Sequence, residues 1–486
     1  MKKTLYFFLA LLTALSGIIS YRTYTFVSQQ AIGIEPLPPT AVSDSAATRL
    51  SEAVQVRTIS YDRSPTDSAA MYALHRLLET HFPHCHRQLK REAIAQYSLL
   101  YEWRGTQPDL APLLLIAHLD VVPAADSTDW TMPPFSGTIS NDTLWGRGAL
   151  DDKVSVWGIM EAAEKLLAAG FQPQRTIYFG FGHDEEMGGK GAQTIAATLE
   201  QRGIKVGFLL DEGMVITQGI APALPKPLAS VGLAEKGYVS LQLTATAEGG
   251  HSSMPAPQTA AGMLCRAVAD LEANPMPQQI TPITQAMFDA MGPEMDLPLR
   301  AVFANQWLLT PLIKRALAQS KATNATTRTT AAPTMLQGSP KENVLAREAS
   351  AIINFRILPS ETIDDVVAHV RRIVNNPDIR IDTLPGGNNP SIVADTKEGG
   401  YFDYISRSIK EVFPAAVVAP GLTVATTDAR HYERVTDNAF RFLPIVLNQT
   451  DLNSIHGKDE RICLSDYKNA IRFYERLMSN TSALAQ

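Results

Sequence analysis

Short, wholly apolar runs recur along the first half of this chain, and each is followed by carboxylates or an imidazole. Leu113 to Ala117 reads Leu-Leu-Leu-Ile-Ala and is followed by His118-Leu119-Asp120. Thr176 to Phe181 is followed by Asp184-Glu185-Glu186, and Val206 to Leu210 by Asp211-Glu212. Runs this short and this apolar predict strands covered on both faces. Between them, Lys153 to Ala169 carries Val156, Met160, Ala163 and Leu167 at helical spacing and stops at Gly170. Strands alternating with helices predict an α/β fold, with a mostly parallel central sheet flanked by helices.

In an open sheet of this kind, ligands sit beyond the carboxyl ends of the strands. Asp151-Asp152, after Gly146-Arg147-Gly148, adds a fourth acidic strand end to the three above. Carboxylates crowded into one crevice raise one another's pKa unless cations neutralise them. Two divalent ions held by His and carboxylate would do so. Ligands of this type without Cys suit zinc, with manganese or cobalt as substitutes. Taken singly, each element has a plainer reading: His-x-Asp as a surface loop, Glu-Glu as a helix start, Asp-Asp-Lys as an N-cap. Their joint position after apolar strands carries the argument.

The texture changes near Gly237. Tyr238 to Ala247 alternates large apolar and small polar residues, as in a sheet with one wet face. A helix over 258–272, strands over 330–336 and 349–358, a helix over 363–374 and a strand over 379–384 follow. The order βαββαβ predicts a smaller α+β lid or dimerisation domain inserted into the larger one. The expected organisation is 1–26 as signal peptide or signal anchor, 27–45 as linker and 46–235 as the first segment of a catalytic domain. Residues 236–384 form the insert, with a largely helical stretch at 275–328 of no derivable role, and 385–486 complete the catalytic domain. A chain of 486 residues accommodates this at roughly 150 residues per domain.

Lys2-Lys3 precedes an apolar run from Leu5 to Ile19, and Arg22 follows. This predicts export: a secreted or periplasmic body after signal cleavage, or a body held at the membrane by an uncleaved anchor. In both cases Lys2 and Lys3 keep the N-terminus cytoplasmic. Membrane contact is expected only through this segment. With 43 Lys and Arg against 49 Asp and Glu, the net charge of −6 gives no reason to bind nucleic acid. Three cysteines, Cys85, Cys265 and Cys463, make no disulfide framework and no Cys-based zinc site. His81, His84, Cys85 and His86 read as an exposed helix end.

The chain resembles the M20 family of dizinc metallopeptidases and aminoacylases. The resemblance rests on His118-Leu119-Asp120-Val121-Val122-Pro123, Pro134-Phe135-Ser136-Gly137, Gly146 to Lys153 and Asp184-Glu185-Glu186. Gly249-Gly250-His251-Ser252-Ser253, Asn343-Val344 and Ser454-Ile455-His456-Gly457 add to it. It spans about 46–478. Leu209 to Gly213, Arg328-Thr329-Thr330 and Thr427 to Tyr432 resemble the carboxypeptidase S and N-fatty-acyl-amino-acid hydrolase/synthase branch.

The resemblance implies two zinc ions, held by His118, Asp151 as the bridge, Glu186, Asp211 and His456. It implies Asp120 orienting His118, Glu185 as the general base, and Asp152 outside the ligand set. His251 would reach the oxyanion, in many members from a partner subunit of a homodimer. Asn343 and Arg356 would hold the substrate's carboxylate; a structural ion pair is the other reading of Arg356. His431 is a weaker candidate near the site. The implied reaction is hydrolysis of an amide next to a free carboxylate. The substrate would be a small peptide, cleaved as by a carboxypeptidase, or an N-acyl amino acid, cleaved or condensed. A fold that has lost its activity is the alternative from another class. A serine hydrolase would need a Gly-x-Ser-x-Gly elbow, which is missing.

Overall fold

A computed structural model describes residues 2–483 apart from 31, 32, 37–42, 62, 63, 125, 126 and 222. Among the described residues a ten-stranded mixed sheet forms the centre of the larger lobe. Five of its nine strand pairings are parallel. The apolar runs form its middle: Ile177–Gly182, Leu113–His118 and Phe208–Asp211 lie side by side in parallel. Every residue of these three strands is buried, which is why they carry no polar alternation. Helix Lys153–Ala168 covers one face, with Trp157, Met160 and Ala163 fully buried. Helix Lys190–Gln201 covers the other through Ile195, Ala196 and Leu199. The parallel register brings His118 level with Gly182, so the strands end together at one edge.

The smaller lobe is a four-stranded antiparallel sheet. Gly237–Thr246 and Glu348–Ile357 are central; Thr330–Gln337 and Ile379–Thr383 are the edges. Helices Ala260–Ala273 and Ile363–Val374 cover its apolar face, giving the order βαββαβ. Thr362 and Asp365 close a capping box at the start of the second helix.

Residues 275–328 fold into four helices: Pro282–Met291, Leu297–Ala304, Gln306–Leu317 and Lys321–Thr327. They do not extend the small sheet. Met291 and Ala290 pack with Val417 and Ala419 on strand Val417–Thr423, at an edge of the large sheet. Residues 2–25 form one helix, Lys2–Thr25. Its last turns dock against the same insertion, where Arg22 Nε donates to Ala304 O at 3.1 Å. Gln30 then pairs with Val418 of the edge strand, donating to its O at 2.9 Å and accepting from its N at 2.8 Å. This stretch of the expected linker is therefore tied to the body, while 31, 32 and 37–42 lie outside the described residues.

Glu235-Lys236-Gly237 crosses between the lobes and is buried. Glu235 accepts from Thr427 N at 3.0 Å, Thr427 Oγ1 at 2.8 Å and Arg441 Nε at 2.8 Å. A buried carboxylate is tolerable here because a guanidinium and two donors meet it. Arg441→Met is expected to destabilise the protein by about 3–5 kcal/mol by stranding Glu235. The shift of the urea midpoint checks this, and an unchanged midpoint contradicts it.

Candidate metal centre

The aligned strand ends deliver His118, and the turn after Ile177–Gly182 delivers Glu185 and Glu186. Gly188 and Gly189 close that turn at φ +100° and +69°, and a Cβ on Gly189 would run into Asp428. Asp151 and Asp152 lie at the start of helix Lys153–Ala168. His456 comes from a turn far along the chain, itself at φ +56°. Two strand ends and two loops thus meet in one cleft.

His118 Nε2 lies 2.9 Å from Asp151 Oδ1 and 3.4 Å from Glu212 Oε1. The other oxygen of Asp151, Oδ2, lies 3.0 Å from His456 Nε2, which is 3.2 Å from Glu186 Oε1. Two sets of oxygen and nitrogen donors therefore share the carboxylate of Asp151, one set with His118 and Glu212, the other with Glu186 and His456. A third grouping joins His118, Glu185 and Glu186. The donor set contains imidazole and carboxylate and no thiolate, which fits zinc, cobalt or manganese. Sharing one carboxylate between two donor sets fits a pair of divalent ions.

One expected ligand is displaced. Asp211 does not enter either set: its Oδ2 accepts from Ala429 N at 2.9 Å and its Oδ1 from Glu212 N at 2.9 Å. Successive residues at a strand end point to opposite sides. Glu212, one residue on, is therefore the side chain facing His118. Asp152 is buried and accepts from His118 N at 3.3 Å, away from the donor sets.

Asp120 is wholly buried and works on both sides of the centre. Its backbone O lies 3.0 Å from His118 Nδ1, fixing the ring with Nε2 toward the cleft. Its carboxylate accepts from Glu185 N at 3.1 Å, Glu186 N at 3.2 Å and Ser60 Oγ at 2.7 Å. Sequence reasoning misses Glu460. It is fully buried and accepts from Leu150 N at 2.7 Å, Asp151 N at 3.1 Å and Arg147 Nη1 at 2.5 Å. Arg147 Nη2 donates to Gly457 O at 2.7 Å, so one ion pair fixes both Asp151 and the His456 turn. No spacing pattern marks a lone Glu for this task.

Protons answer to the same crowding. Burial, then the nearby charge of Asp151, pushes the Glu212 carboxyl up to about 8. Hydrogen bonds to Asp151 and Glu186 raise His456 to about 10. Burial works against the charge on Asp151, but hydrogen bonds from His118 and His456 hold it below the usual carboxylate range. Burial pushes Glu185 well above that range, with His118 opposing and Asp428 and Glu212 adding to the rise.

The remaining candidates stand apart from this cluster. His251 is exposed on a two-residue ribbon, Gly250–His251 against Val344–Leu345, and its Nδ1 lies 2.8 Å from Ser253 Oγ. Asn343 is exposed beside it, and its backbone O accepts from Ser252 N at 3.2 Å. Arg356 is half-buried on the small sheet with its guanidinium 4.9 Å from the centre of the Tyr238 ring. It forms no ion pair among the described residues. His431 Nε2 lies 3.1 Å from Gly188 O, next to the Glu185-Glu186 turn. Cys85 is buried, His81 meets Glu52 and His86 meets Tyr101, and no metal-type grouping among the described residues includes them.

A cleft at strand ends in which imidazoles and carboxylates converge is that of a metal-dependent hydrolase. The sequence matches peptidase family M20/M25/M40 over residues 114–480, and the chain belongs to that family. It is 41% identical to "Probable carboxypeptidase S-like 2" of Dictyostelium discoideum, over 97% of this chain and 93% of that one. It is 35% identical to the N-fatty-acyl-amino acid synthase/hydrolase PM20D1 of Xenopus tropicalis, over 98% and 94%. The fold is shared with an M20 family metallo-carboxypeptidase of Sulfolobus solfataricus, at a TM-score of 0.65 and 18% identity over 91% and 100% of the two chains.

Two outcomes are expected from zinc titration of the metal-depleted protein. Uptake should release protons and tighten as pH rises through about 8 and on toward about 10, because cations would displace the protons held by Glu212 and His456. Calorimetry in buffers of different ionisation heat measures this; pH-independent uptake contradicts it. Glu212→Gln should weaken zinc binding by about 100-fold or more, whereas Asp211→Asn should change it by less than about 10-fold. The reverse ranking would return Asp211 to the ligand set.

Proposed function

We propose that the protein hydrolyses an amide bond beside a free carboxylate, as a carboxypeptidase-type member of its family, using two zinc ions or cobalt or manganese in their stead. The observation that carries this reading is Asp151, whose two oxygens face His118 and His456 separately. His118, Asp151 and Glu212 would hold one ion; Asp151, Glu186 and His456 would hold the other. When bound, the ions supply Lewis-acid polarisation of the scissile carbonyl and a water of lowered pKa. Glu185 takes the proton of the attacking water and passes it to the departing amide nitrogen. Burial raises its proton affinity above that of an ordinary carboxylate, the direction that this exchange requires.

Asp120 keeps Glu185 aimed through its backbone amide. Arg356 receives the substrate carboxylate, a role supported by its forming no ion pair with a carboxylate among the described residues. His251 completes the oxyanion pocket, and Asn343 beside it on the same ribbon joins Arg356 at the substrate carboxylate, by closure of the lobes or from a second copy of the chain. Residues 46–235 and 385–486 form the catalytic domain and 236–384 the inserted one.

The acyl side is the open choice. The Dictyostelium relative is named for carboxypeptidase S and the Xenopus relative for N-fatty-acyl amino acids, so a long-chain N-acyl amino acid is the second reading. Zinc-loaded full-length protein should hydrolyse an N-blocked dipeptide faster than an N-oleoyl amino acid; the opposite ranking would select the second reading. Glu185→Gln should retain zinc and lose about 10²–10⁴-fold in kcat on whichever substrate is cleaved. A fully active Glu185→Gln would remove the proposed base.

Residues 2–25 are read as a retained membrane anchor, with the body exported. The helix is 24 residues long, has a mean hydropathy of 1.7 over its most apolar stretch, and carries no Asp or Glu. Its last turns are bonded into the body, which a cleaved signal would not need.

A further inference from the structure

The helical insertion at 282–317 takes no part in the chemistry above, yet it presents apolar side chains to solvent. Trp307 is 55% exposed, Leu312 57% and Leu297 62%. On helix Gln306–Leu317, Trp307, Leu308, Pro311 and Leu312 fall on one side, and Ile313 is buried on the opposite side. Exposed Arg315 follows one turn on along the apolar side. A stripe of Trp and Leu next to Arg is a common composition at the boundary between lipid and water.

The neighbour of that stripe sets its height. Asn305, wholly buried, donates to Ala301 O at 2.8 Å and reaches Ile19 O and Thr23 Oγ1 at 3.3 Å each. Trp307 Nε1 donates to Asn305 Oδ1 at 3.4 Å. Arg300 Nη2 donates to Phe26 O at 2.7 Å. The insertion thus grips the N-terminal helix over residues 19–26. From Lys3 to Thr23 a helix climbs about 30 Å at about 1.5 Å per residue, the thickness of a bilayer's hydrocarbon core. With Lys3 at the cytoplasmic boundary, Ile19 to Thr23 reach the opposite one. Exposed Tyr21 and Tyr24 lie at the same level, as in an interfacial aromatic belt.

We infer that Leu297, Trp307, Leu308 and Leu312 form a seating surface that rests in the outer leaflet of a lipid bilayer beside the anchor helix. The occupant is lipid because the patch is continuous with a helix long and apolar enough to cross a membrane, and because that helix fixes the patch at the boundary. The seat sets the catalytic body at one height and tilt instead of leaving it on a free tether. The inference rests on the reading of residues 2–25 as a retained anchor.

Trp307 is the one exposed tryptophan of five; Trp103, Trp130 and Trp157 are buried and Trp145 is half-buried. Full-length protein is reconstituted into phosphatidylcholine–phosphatidylglycerol vesicles, with acyl chains either plain or brominated near the headgroup. Brominated lipid is expected to remove the component of tryptophan emission that Trp307→Phe lacks. Leu308→Asp with Leu312→Asp should restore that component, while flotation with vesicles and hydrolysis of a soluble substrate persist. Protein that floats with Trp307 unquenched overturns the seat and spares the anchor, whether the face is then bare or covered by a second copy. Protein that does not float overturns the anchor, and the seat with it.

Discussion

Asp151 bridges two imidazoles at the bottom of a cleft that also holds Glu185, Glu186 and Glu212, and this crowding governs the rest of the structure. Negative groups this close and this poorly hydrated repel one another strongly. Raised proton affinity at Glu212 and Glu185 and a strongly retained proton at His456 show how the folded chain answers that repulsion with protons. On the proposed function, a divalent ion in each donor set would answer it in place of those protons. On the proposed function, the same arrangement would bind metal and leave Glu185 placed to exchange a proton.

Such a site needs rigid support, and the support is built from buried polar groups outside the donor sets. Asp120 fixes His118 and the Glu185-Glu186 turn together, so the proposed base and two proposed ligands are held as one unit. Arg147 and Glu460 join the Asp151 loop to the His456 turn across about 300 residues of chain. Neither pair stands in water, and each is nearly fully hydrogen-bonded, which is the condition under which buried charge is tolerated. Glu235 and Arg441 repeat the device at the crossing between the lobes.

Much of this is legible in the sequence. The strands ending at His118, Gly182 and Asp211 are apolar throughout because both faces are covered, and that is visible as a run. The helix Lys153–Ala168 is visible as a stripe with a glycine stop. The meeting of His118, Asp151 and Glu186 in one cleft is legible because strand ends and glycine-flanked turns mark where a crevice forms, whereas His456 is reached only through the family resemblance. The choice between Asp211 and Glu212 is not legible, since one residue of parity decides which side chain faces inward and the strand's last paired residue cannot be read from sequence. Glu460 and Gln30 are invisible for another reason: each acts on backbone groups far away in the chain, and no local pattern encodes such a contact. The insertion at 275–328 reads as helical, but its packing on the large sheet depends on Val417 and Ala419, more than a hundred residues on.

That packing has a consequence for the two lobes. The insertion begins and ends within the small lobe's stretch of sequence, yet its first helix lies on the large sheet through Ala290 and Met291. Lys236, at the crossing, donates to Ala325 O at 2.8 Å and Arg328 O at 2.8 Å, tying the last turn of the insertion to the same strand. Burial lowers its pKa to about 7, so these two carbonyls are its partners in place of a carboxylate. The lobes are thus joined by the crossing strand, by the bonds of Lys236, by the helix on Val417–Thr423, and by the returning chain, where Asn388 pairs with Tyr238.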